Sequence, residues 1–373
     1  MVFRIQRLCG LFSACLGCLL VLCLNGPAQG DWNQNWKNTV AAAEKEGQVT
    51  LYGPRGTHFK DALEPFRGKY PKIKLVHVTG SGSQNSQRLF AERRAGKYLA
   101  DVFISGAGTA FVLFKGNVLD PLPPNLLLPE NKDPSLWFSK KHLYADPKNQ
   151  YVFIIHGNVD SGIGAYNTKL VDPNEIKSFW DLLKPKWKGR MVAFDPTSRG
   201  QLANWKAQYY HPRLGPEFIR RLFSEMDVTI GTDERLMLDW VAKGRFSIYL
   251  AASFRDTKTA KKQGLPIDLL EAAPREGYMG SGNGHLSSVN KPPHPNAAKV
   301  FINWLLSKEG QVQYQRGTGN NSLRMDIPKD MVANPRSVPK PGVEYLIASL
   351  AKYRDITPIK KIVQQALRKT TQK

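Results

Sequence analysis

Two stretches of the sequence carry side chains that could bind ions. Within residues 204–214, Tyr209, Tyr210 and His211 stand side by side, and oxygen and imidazole groups are ligands that iron accepts. Residues 195–201 read Asp-Pro-Thr-Ser-Arg-Gly-Gln, a pattern that can cap a helix and turn its first amide groups toward an anion. One stretch favours a cation and the other an anion, so the surrounding elements must decide between them.

The amino terminus has the pattern of an export signal. Two arginines precede an apolar run over residues 8–24, and residues 28–30 supply the small side chains of a cleavage site. We expect cleavage near Gly30 and Asp31, which leaves an exported, soluble chain of about 343 residues. Lipidation at Cys15 is a minor alternative, because this cysteine lies in the middle of the apolar run.

All four cysteines lie in the predicted leader, at positions 9, 15, 18 and 23. The mature chain therefore has no disulfide and must depend on its hydrophobic core for stability. At this length the core is sufficient, and two lobes are expected rather than one.

The chain is strongly basic, with a formal net charge of +22 that falls to about +20 when the leader is removed. Such a charge attracts anions. The basic residues are dispersed along the chain, which is typical of a solvated surface. Export together with this dispersion argues against nucleic acid as a partner.

The first part of the mature chain alternates strands and helices. Strands are predicted over residues 48–53, 73–80 and 100–106, with helices over 58–70 and 83–96 between them. This order predicts a parallel sheet with right-handed crossovers. Each strand ends in a turn of small residues, and open α/β sheets bind their ligands at these carboxyl ends.

A second unit follows with a similar alternation. The predicted elements are an extended segment at 150–167, a short helix and strand within 178–196, a capped helix within 197–213, a strand at 245–254, a single amphipathic helix at 295–315, and a basic helical tail from about residue 343. Two α/β lobes joined by extended segments would leave a cleft between them.

Four stretches of this chain resemble, in order and spacing, the periplasmic solute-binding proteins of ABC importers, in the branch with ferric-ion-binding and thiamine-binding proteins. They are AAAEKEGQVTLYG (41–53), LKPKWKGRMVAFDPTSRG (183–200), WVAKGRFSIYLA (240–251) and HPNAAKVFINWLLSKEGQ (294–311). The resemblance implies an α/β, two-lobed periplasmic binding protein fold of type II. Each lobe would be a mostly parallel sheet flanked by helices, joined to the other by hinge strands.

The resemblance also implies a periplasmic location, no catalysis, no cofactor, a monomeric state, and an inner-membrane ABC permease with its ATPase as partner. On this basis residues 1–30 are the signal peptide. Residues 31–155 plus about 280–325 form the first lobe, and residues 156–279 plus about 326–373 form the second.

The favoured anion site is the turn at the start of the helix within 197–213. Thr197, Ser198 and Gly200 are similar to the Thr-Ser-Gly turn that holds the anion accompanying iron in the ferric-ion-binding relatives. Arg199 is interposed here and could grip a carboxylate or phosphate in a bidentate manner. The alternative is an ordinary helix cap with a solvated arginine.

Further ligand candidates are taken from the other turns that face the expected cleft. From the first lobe they are Arg55, Ser81, Ser83, Ser105 and Thr109, and from the second lobe Tyr166, Ser253 and Arg255. His285 lies where the chain returns to the first lobe, and we interpret it as a structural residue.

We expect no metal site. In the ferric-binding relatives paired tyrosines follow a strand that corresponds to residues 242–256, where this chain has no phenol after the strand. Gly106 stands where those relatives have an acidic ligand, and His58 is displaced from their histidine. Tyr209 and Tyr210 lie at the far end of their helix, roughly 15 Å from its cleft end at 1.5 Å per residue.

The sequence therefore predicts a binding protein that captures a small anionic organic solute, bearing carboxylate or phosphate groups, by hinge closure. A ferric-ion or thiamine-type ligand is the alternative within the same family. A sensory protein for a membrane kinase and, less favoured, an exported enzyme are alternatives of other classes. The motifs of zinc proteases, α/β-hydrolases and dinucleotide-binding proteins are absent from the sequence.

Overall fold

The computed structural model describes residues 31–160, 162–271 and 276–371, and it has two α/β lobes. The strands are β1 (Gln48–Gly53), β2 (Lys74–Thr79), β3 (Val102–Ser105), β4 (Leu119–Asp120), β5 (Phe153–Ile154), β6 (Asn158–Asp160), β7 (Gly162–Asn167), β8 (Met191–Phe194), β9 (Thr229–Gly231), β10 (Ile248–Leu250), β11 (Ile267–Glu271), β12 (Tyr278–Gly280), β13 (His285–Val289) and β14 (Leu346–Ile347).

The helices are α1 (Asp31–Glu46), α2 (Thr57–Lys69), α3 (Gly82–Arg94), α4 (Ala107–Lys115), α5 (Pro129–Lys132), α6 (Arg199–Tyr210), α7 (Gly215–Glu225), α8 (Glu234–Ala242), α9 (Phe254–Lys262), α10 (Pro295–Leu306), α11 (Lys308–Thr318) and α12 (Thr357–Thr371). Short 3-10 turns connect several of them. Within the described ranges, no helix is both long and apolar enough to cross a membrane.

The first sheet has the strand order β2-β1-β3-β13-β4, and β5 also pairs with β13. β1 is parallel to both β2 and β3, which confirms the predicted β-α-β-α-β unit to within a few residues. β13 is antiparallel to β3, and it follows β12 where the chain returns from the second lobe. The sheet is therefore mixed, with its parallel strands at one side.

Helix α2 shows how the sequence builds the first lobe. Phe59, Ala62, Leu63 and Phe66 recur at helical spacing and are all buried, so one face of the helix packs on the core. The C-terminal half of α11 lies against the same helix, where a Cβ at Gly317 would approach atoms of Ala62 to 2.6 Å. Only glycine permits this approach, and it brings the end of α11 beside the middle of α2.

The second sheet has the order β11-β7-β10-β8-β9. β8 is parallel to β9 and β10, whereas β7 is antiparallel to β10 and β11. A separate hydrophobic core covers this sheet and includes the fully buried Ile359 and Val363 of α12. The helical tail therefore packs in the second lobe.

Three extended segments run between the lobes. The chain leaves the first sheet through β6 and returns through β12, and these two strands pair in an antiparallel manner. β14 adds to β12 in parallel, and Tyr345 just before it packs into the first core. These are the hinge strands of the two-lobed fold, and the boundaries proposed for the lobes stay a prediction.

The amphipathic segment at 295–315 differs from the prediction, because it forms two helices rather than one. Ser307 ends α10 and begins α11, and its hydroxyl donates to Trp304 O (2.7 Å) and accepts from Gly310 N (3.1 Å). Apolar periodicity continues through the break, which is why the sequence pattern did not reveal it.

Candidate functional site

The carboxyl ends of β1, β2 and β3 meet at a cavity of about 310 Å³, which we call the first-lobe pocket. Its described lining consists of Gly53, Pro54, Arg55, Gly80, Ser81, Gly82, Asn85, Ile104, Ser105 and Asn283. The first three predicted strands thus bring Arg55, Ser81 and Ser105 together, although they are up to 50 positions apart in the sequence.

Three helices start at the first-lobe pocket. α2, α3 and α4 each follow one of its strands, and none has an acidic residue in its first turn. The N-cap residues of α2 and α4 are Gly56 and Gly106, which have no side chain that could cap those helices. Helix N-termini carry partial positive charge, and no carboxylate is among the described lining residues. The pocket therefore favours a negatively charged ligand.

Two side-chain amides hold the turns of the pocket in place. Nδ2 of the buried Asn85 donates to the carbonyl oxygens of Gly53 (3.1 Å) and Val78 (3.3 Å), which ties together the ends of β1 and β2. Gln84 completes a capping box with Ser81 and accepts from Arg55 Nη2 at 2.6 Å. The guanidinium group of Arg55 is thereby held at the rim.

Ser83 and Thr109 lie beside the lining residues. The hydroxyl oxygens of Ser83 and Ser81 are 3.1 Å apart. A Cβ at Gly82 would come within 2.3 Å of Thr109 Oγ1, so the turn packs directly against that hydroxyl. All five predicted first-lobe residues are thus in or next to one pocket.

A second cavity, of about 520 Å³, lies against the hinge strands, and we call it the interlobe cavity. Its walls come from β6, β7, β12, α6, the end of β10, the end of α11 and residues 333–337. Because α11 packs on α2 and β10 belongs to the second sheet, both lobes contribute to it. It is rich in side-chain amides, supplied by Asn158, Asn204, Gln208, Asn320 and Asn334.

The charged groups of the interlobe cavity are balanced among its described residues. Asp160 accepts from Gly162 N (2.8 Å) and from Tyr278 Oη (3.0 Å), and Arg336 also lines the cavity. Burial, followed by the charge of Asp160, raises the pKa of Tyr278 well above its ordinary value, so the phenol stays a donor. This cavity offers hydrogen bonds rather than net charge.

The predicted second-lobe turn precedes α6. Thr197 is already engaged, since both its amide (2.9 Å) and its hydroxyl (2.7 Å) donate to Asp195 Oδ1. Ser198 is the N-cap residue without a side-chain cap bond, and α6 has no acidic residue in its first turn. The side chain of Arg199 and the surroundings of Gly200 lie outside the described part of the structure.

The remaining predicted residues are separated. Ser253 caps α9, where its hydroxyl accepts from Asp256 N at 3.4 Å, and it lines the interlobe cavity. Tyr166 is instead 7 % exposed in β7 and packs in the second core, because it is on the covered face of its strand. The Arg255 side chain lies outside the described residues.

The paired tyrosines of the opening motif are packing residues. Tyr209 and Tyr210 end α6, their rings are 5.0 Å apart, and Tyr210 Oη donates to the carbonyl oxygen of Asp355 (2.8 Å). Both pack beside the second core. In the part of the chain that the structure describes, no three His, Cys, Asp or Glu side chains group in a way that could hold a metal ion.

Sequence reasoning missed Asn85 and Asn283 in the first-lobe pocket and the five amides of the interlobe cavity. Asn283 lies between two glycines in the turn that precedes β13, and its Oδ1 is 3.4 Å from the Cβ position of Gly106. The flanking glycines were the one available signal. The cavity amides come from separate segments, so no local motif links them.

Comparison with known proteins gives a family and a fold. The sequence profile of bacterial extracellular solute-binding proteins matches residues 52–312. An uncharacterized protein of Haemophilus influenzae is 25% identical over 178 residues, which cover 45% of this chain and 48% of that protein. The chain thus spans about half the length of this curated relative.

Solved structures cover most of the chain. The ferric iron-binding protein A of Mannheimia haemolytica in an open conformation has a TM-score of 0.61 at 12% identity, covering 86% of this chain and 98% of that one. The spermidine/putrescine ABC transporter substrate-binding protein PotD of Streptococcus pneumoniae has a TM-score of 0.55 at 16% identity, with 85% and 99% covered.

The periplasmic binding protein AfuA of Actinobacillus pleuropneumoniae, with fructose-6-phosphate bound, has a TM-score of 0.51 at 18% identity, with 87% and 99% covered. At these identities the likeness concerns the fold alone. The solutes given for these three proteins are ferric iron, spermidine or putrescine, and fructose-6-phosphate. Because these solutes differ, a ligand must be inferred from side chains.

Proposed function

The chain belongs to the bacterial extracellular solute-binding proteins, and from this premise we propose that it captures a small anionic organic solute in the cleft between its lobes for import by an ABC transporter. The solute would bear carboxylate or phosphate groups. In this proposal the protein is an exported, monomeric binding component of the periplasm without catalytic activity, and an inner-membrane permease with its ATPase receives the loaded form.

One observation carries the choice of an anion. The N-termini of α2, α3 and α4 converge with Arg55 on one pocket, without an acidic residue in any of the three first turns. Each N-terminus presents amide donors and partial positive charge to the same space. A cation would be repelled from this pocket, which weakens the ferric-ion and thiamine alternatives.

Hinge closure would complete the site. In the open form each lobe presents a half-site at the carboxyl ends of its strands, and the hinge strands β6 and β12 allow the lobes to approach. A ligand that contacts both halves favours the closed form, because it binds that form more tightly. The permease would then distinguish loaded from empty protein by shape.

The required binding energy is compatible with such a site. Micromolar affinity corresponds to about 8 kcal/mol. Hydrogen bonds to charged groups contribute about 1.5–3 kcal/mol each, so two or three of them with some apolar burial are sufficient. AfuA, with fructose-6-phosphate bound, is a precedent for a phosphate-bearing ligand on this fold.

The test begins with the ligand itself. The full-length protein is purified and denatured, and the small molecule that it releases is identified by mass spectrometry. Calorimetry then measures the affinity of the native protein for this molecule. Arg55→Gln should weaken binding tenfold or more, because the pocket loses its guanidinium charge. Lys37→Gln removes the same charge from exposed α1 and should leave affinity unchanged.

Two results would contradict the proposal. One is a released cation, or a ferric complex of high affinity. The other is an anionic ligand that binds the Arg55→Gln and Lys37→Gln proteins equally well.

Arg199→Ala examines the second-lobe turn in the same assay, and we expect it to weaken the affinity for the ligand tenfold or more.

A further inference from the structure

Two cationic side chains lie along residues 348–354, the segment between β14 and α12. Lys206 on α6 donates from Nζ to the carbonyl oxygen of Ala348 at 2.7 Å. Arg354, just before α12, lies with its guanidinium carbon 3.6 Å from the ring centroid of Phe111 on α4. Arg354 Nη1 is also 3.4 Å from the carbonyl oxygen of Ala107, the first residue of α4.

Neither cation forms an ion pair with a carboxylate among the described residues. The nearest acid in sequence is Asp355, whose Oδ1 accepts from Thr357 N at 2.9 Å at the start of α12. Burial lowers the pKa of both cations, and the charge of Arg354 lowers that of Lys206 further. Two partly desolvated like charges without a counter-charge repel each other, and an anion beside both would relieve this repulsion.

Arg354 lies next to the first-lobe pocket, because the carbonyl oxygen that it approaches belongs to Ala107, two residues after Ser105. Burial, followed by the charge of Lys206, lowers the pKa of His285, and Nδ1 of His285 lies 3.1 Å from the carbonyl oxygen of Ser105. Ser105 lines the pocket, and α4 begins two residues later. The groups that face the pair from neighbouring elements are thus carbonyl oxygens, an aromatic ring and a buried histidine.

We propose that Lys206 and Arg354 form a second anion subsite, which receives one charged group of the ligand while the first-lobe pocket receives another. The inference rests on the proposed function and narrows it, because the solute would then carry two ionised groups. Lys206 comes from the second lobe and the pocket from the first, so such a solute bridges the lobes when they close.

A purely structural role makes a different prediction. Lys206 and Arg354 could serve only to fasten residues 348–354 to α6 and α4. In that case their replacement lowers stability by the same amount whichever anion is present. The experiment therefore measures the anion dependence of stability rather than stability itself.

The probe is inorganic sulfate, a small dianion that can be applied before the ligand is identified. The melting temperature of the full-length protein is measured in sodium sulfate and in sodium chloride of equal ionic strength. Sulfate also stabilises folded proteins through its exclusion from their surface, so bound sulfate is reported by how much of the difference a variant removes. Lys206→Gln and Arg354→Gln should each lose at least half of this difference. Lys37→Gln should retain all of it.

Arg55→Gln separates the two proposals. If Arg55→Gln reduces the sulfate effect while Lys206→Gln and Arg354→Gln retain it in full, the first-lobe pocket stands and the second subsite is wrong. If all four variants match the unmodified protein, both are wrong. The ligand released from the purified protein supplies the second criterion: it should carry two ionised groups at pH 7, and a monoanion would overturn the inference.

Discussion

His285 directly follows the turn that carries Asn283, and His156 packs against the glycines of that turn; both histidines are buried. Burial lowers the pKa of His285 to about 4 and that of His156 to about 3. Both imidazoles are therefore neutral at pH 7, and they add no charge to the first-lobe pocket. Its positive potential comes from Arg55 and the helix ends.

The lowered pKa values of these two histidines predict that the stability of the protein depends on pH. Between about pH 6.5 and pH 4 the unfolded chain protonates them while the folded protein does not, so the free energy of unfolding falls as the pH falls. Each histidine contributes up to about 1.4 kcal/mol per pH unit within this window. Urea denaturation at pH 7, 6 and 5 measures the slope.

The His285→Gln protein should show a smaller slope than the unmodified protein, because only one of the two buried histidines can then take up a proton on unfolding. His58→Gln, which changes an exposed histidine, serves as the matched control for the loss of one imidazole. Equal slopes in all three proteins would refute this assignment.

At the scale of elements, the break between α10 and α11 determines how the first lobe closes around its core. α10 is buried along most of its length, and α11 turns away from it to pack on α2. A Cβ at Gly310 would come within 1.8 Å of the carbonyl oxygen of Trp304. That oxygen belongs to the backbone of α10, so it cannot move aside without opening the corner.

Gly310→Ala should therefore destabilise the protein by about 2 kcal/mol or more, the range typical of overpacked core sites. Gly68 in α2 provides a matched comparison, because no atom lies within 4 Å of its Cβ position. Gly68→Ala should be neutral or stabilise by up to about 1 kcal/mol. Thermal denaturation measures the stability of both variants. A Gly310→Ala protein as stable as the Gly68→Ala protein would show that the corner between α10 and α11 is not tightly packed.

At the scale of the whole molecule, the excess of basic residues acts on the compact state. The chain has 53 Lys and Arg residues against 31 Asp and Glu residues, and its ion pairs are mainly exposed. Exposed pairs contribute about 0–1 kcal/mol each, whereas the unbalanced charges repel one another across the folded surface. Net repulsion between these basic residues therefore lowers the free energy of unfolding, and salt can screen this repulsion.

Raising sodium chloride from about 10 to about 150 mM should increase the free energy of unfolding, because the screening length falls from about 30 Å to about 8 Å. Urea denaturation at both concentrations measures the change. The Arg55→Gln/Lys206→Gln double variant should respond in the same direction, which separates screening from chloride bound at the anion sites. A decrease with salt would mean that the ion pairs outweigh the repulsion.

The sequence determined the elements and their order. Apolar strands such as 48–53, the helical spacing of Phe59 to Phe66 and the small-residue turns are local patterns, and β1 matches its predicted bounds. The resemblance to solute-binding proteins supplied the two-lobed arrangement. The candidate residues of the first lobe followed, because the carboxyl ends of parallel strands meet at one edge of a sheet.

Only the tertiary structure decided which side chains face a common space. The sequence predicts Tyr166 at the cleft, but it is covered in the second core, and Thr197 is engaged by Asp195. Asn283 and the pair of Lys206 and Arg354 come from segments far apart in sequence, so no local pattern links them. Spacing along a chain encodes the periodicity of single elements, whereas contacts between elements depend on how their faces pack, and binding sites are made of such contacts.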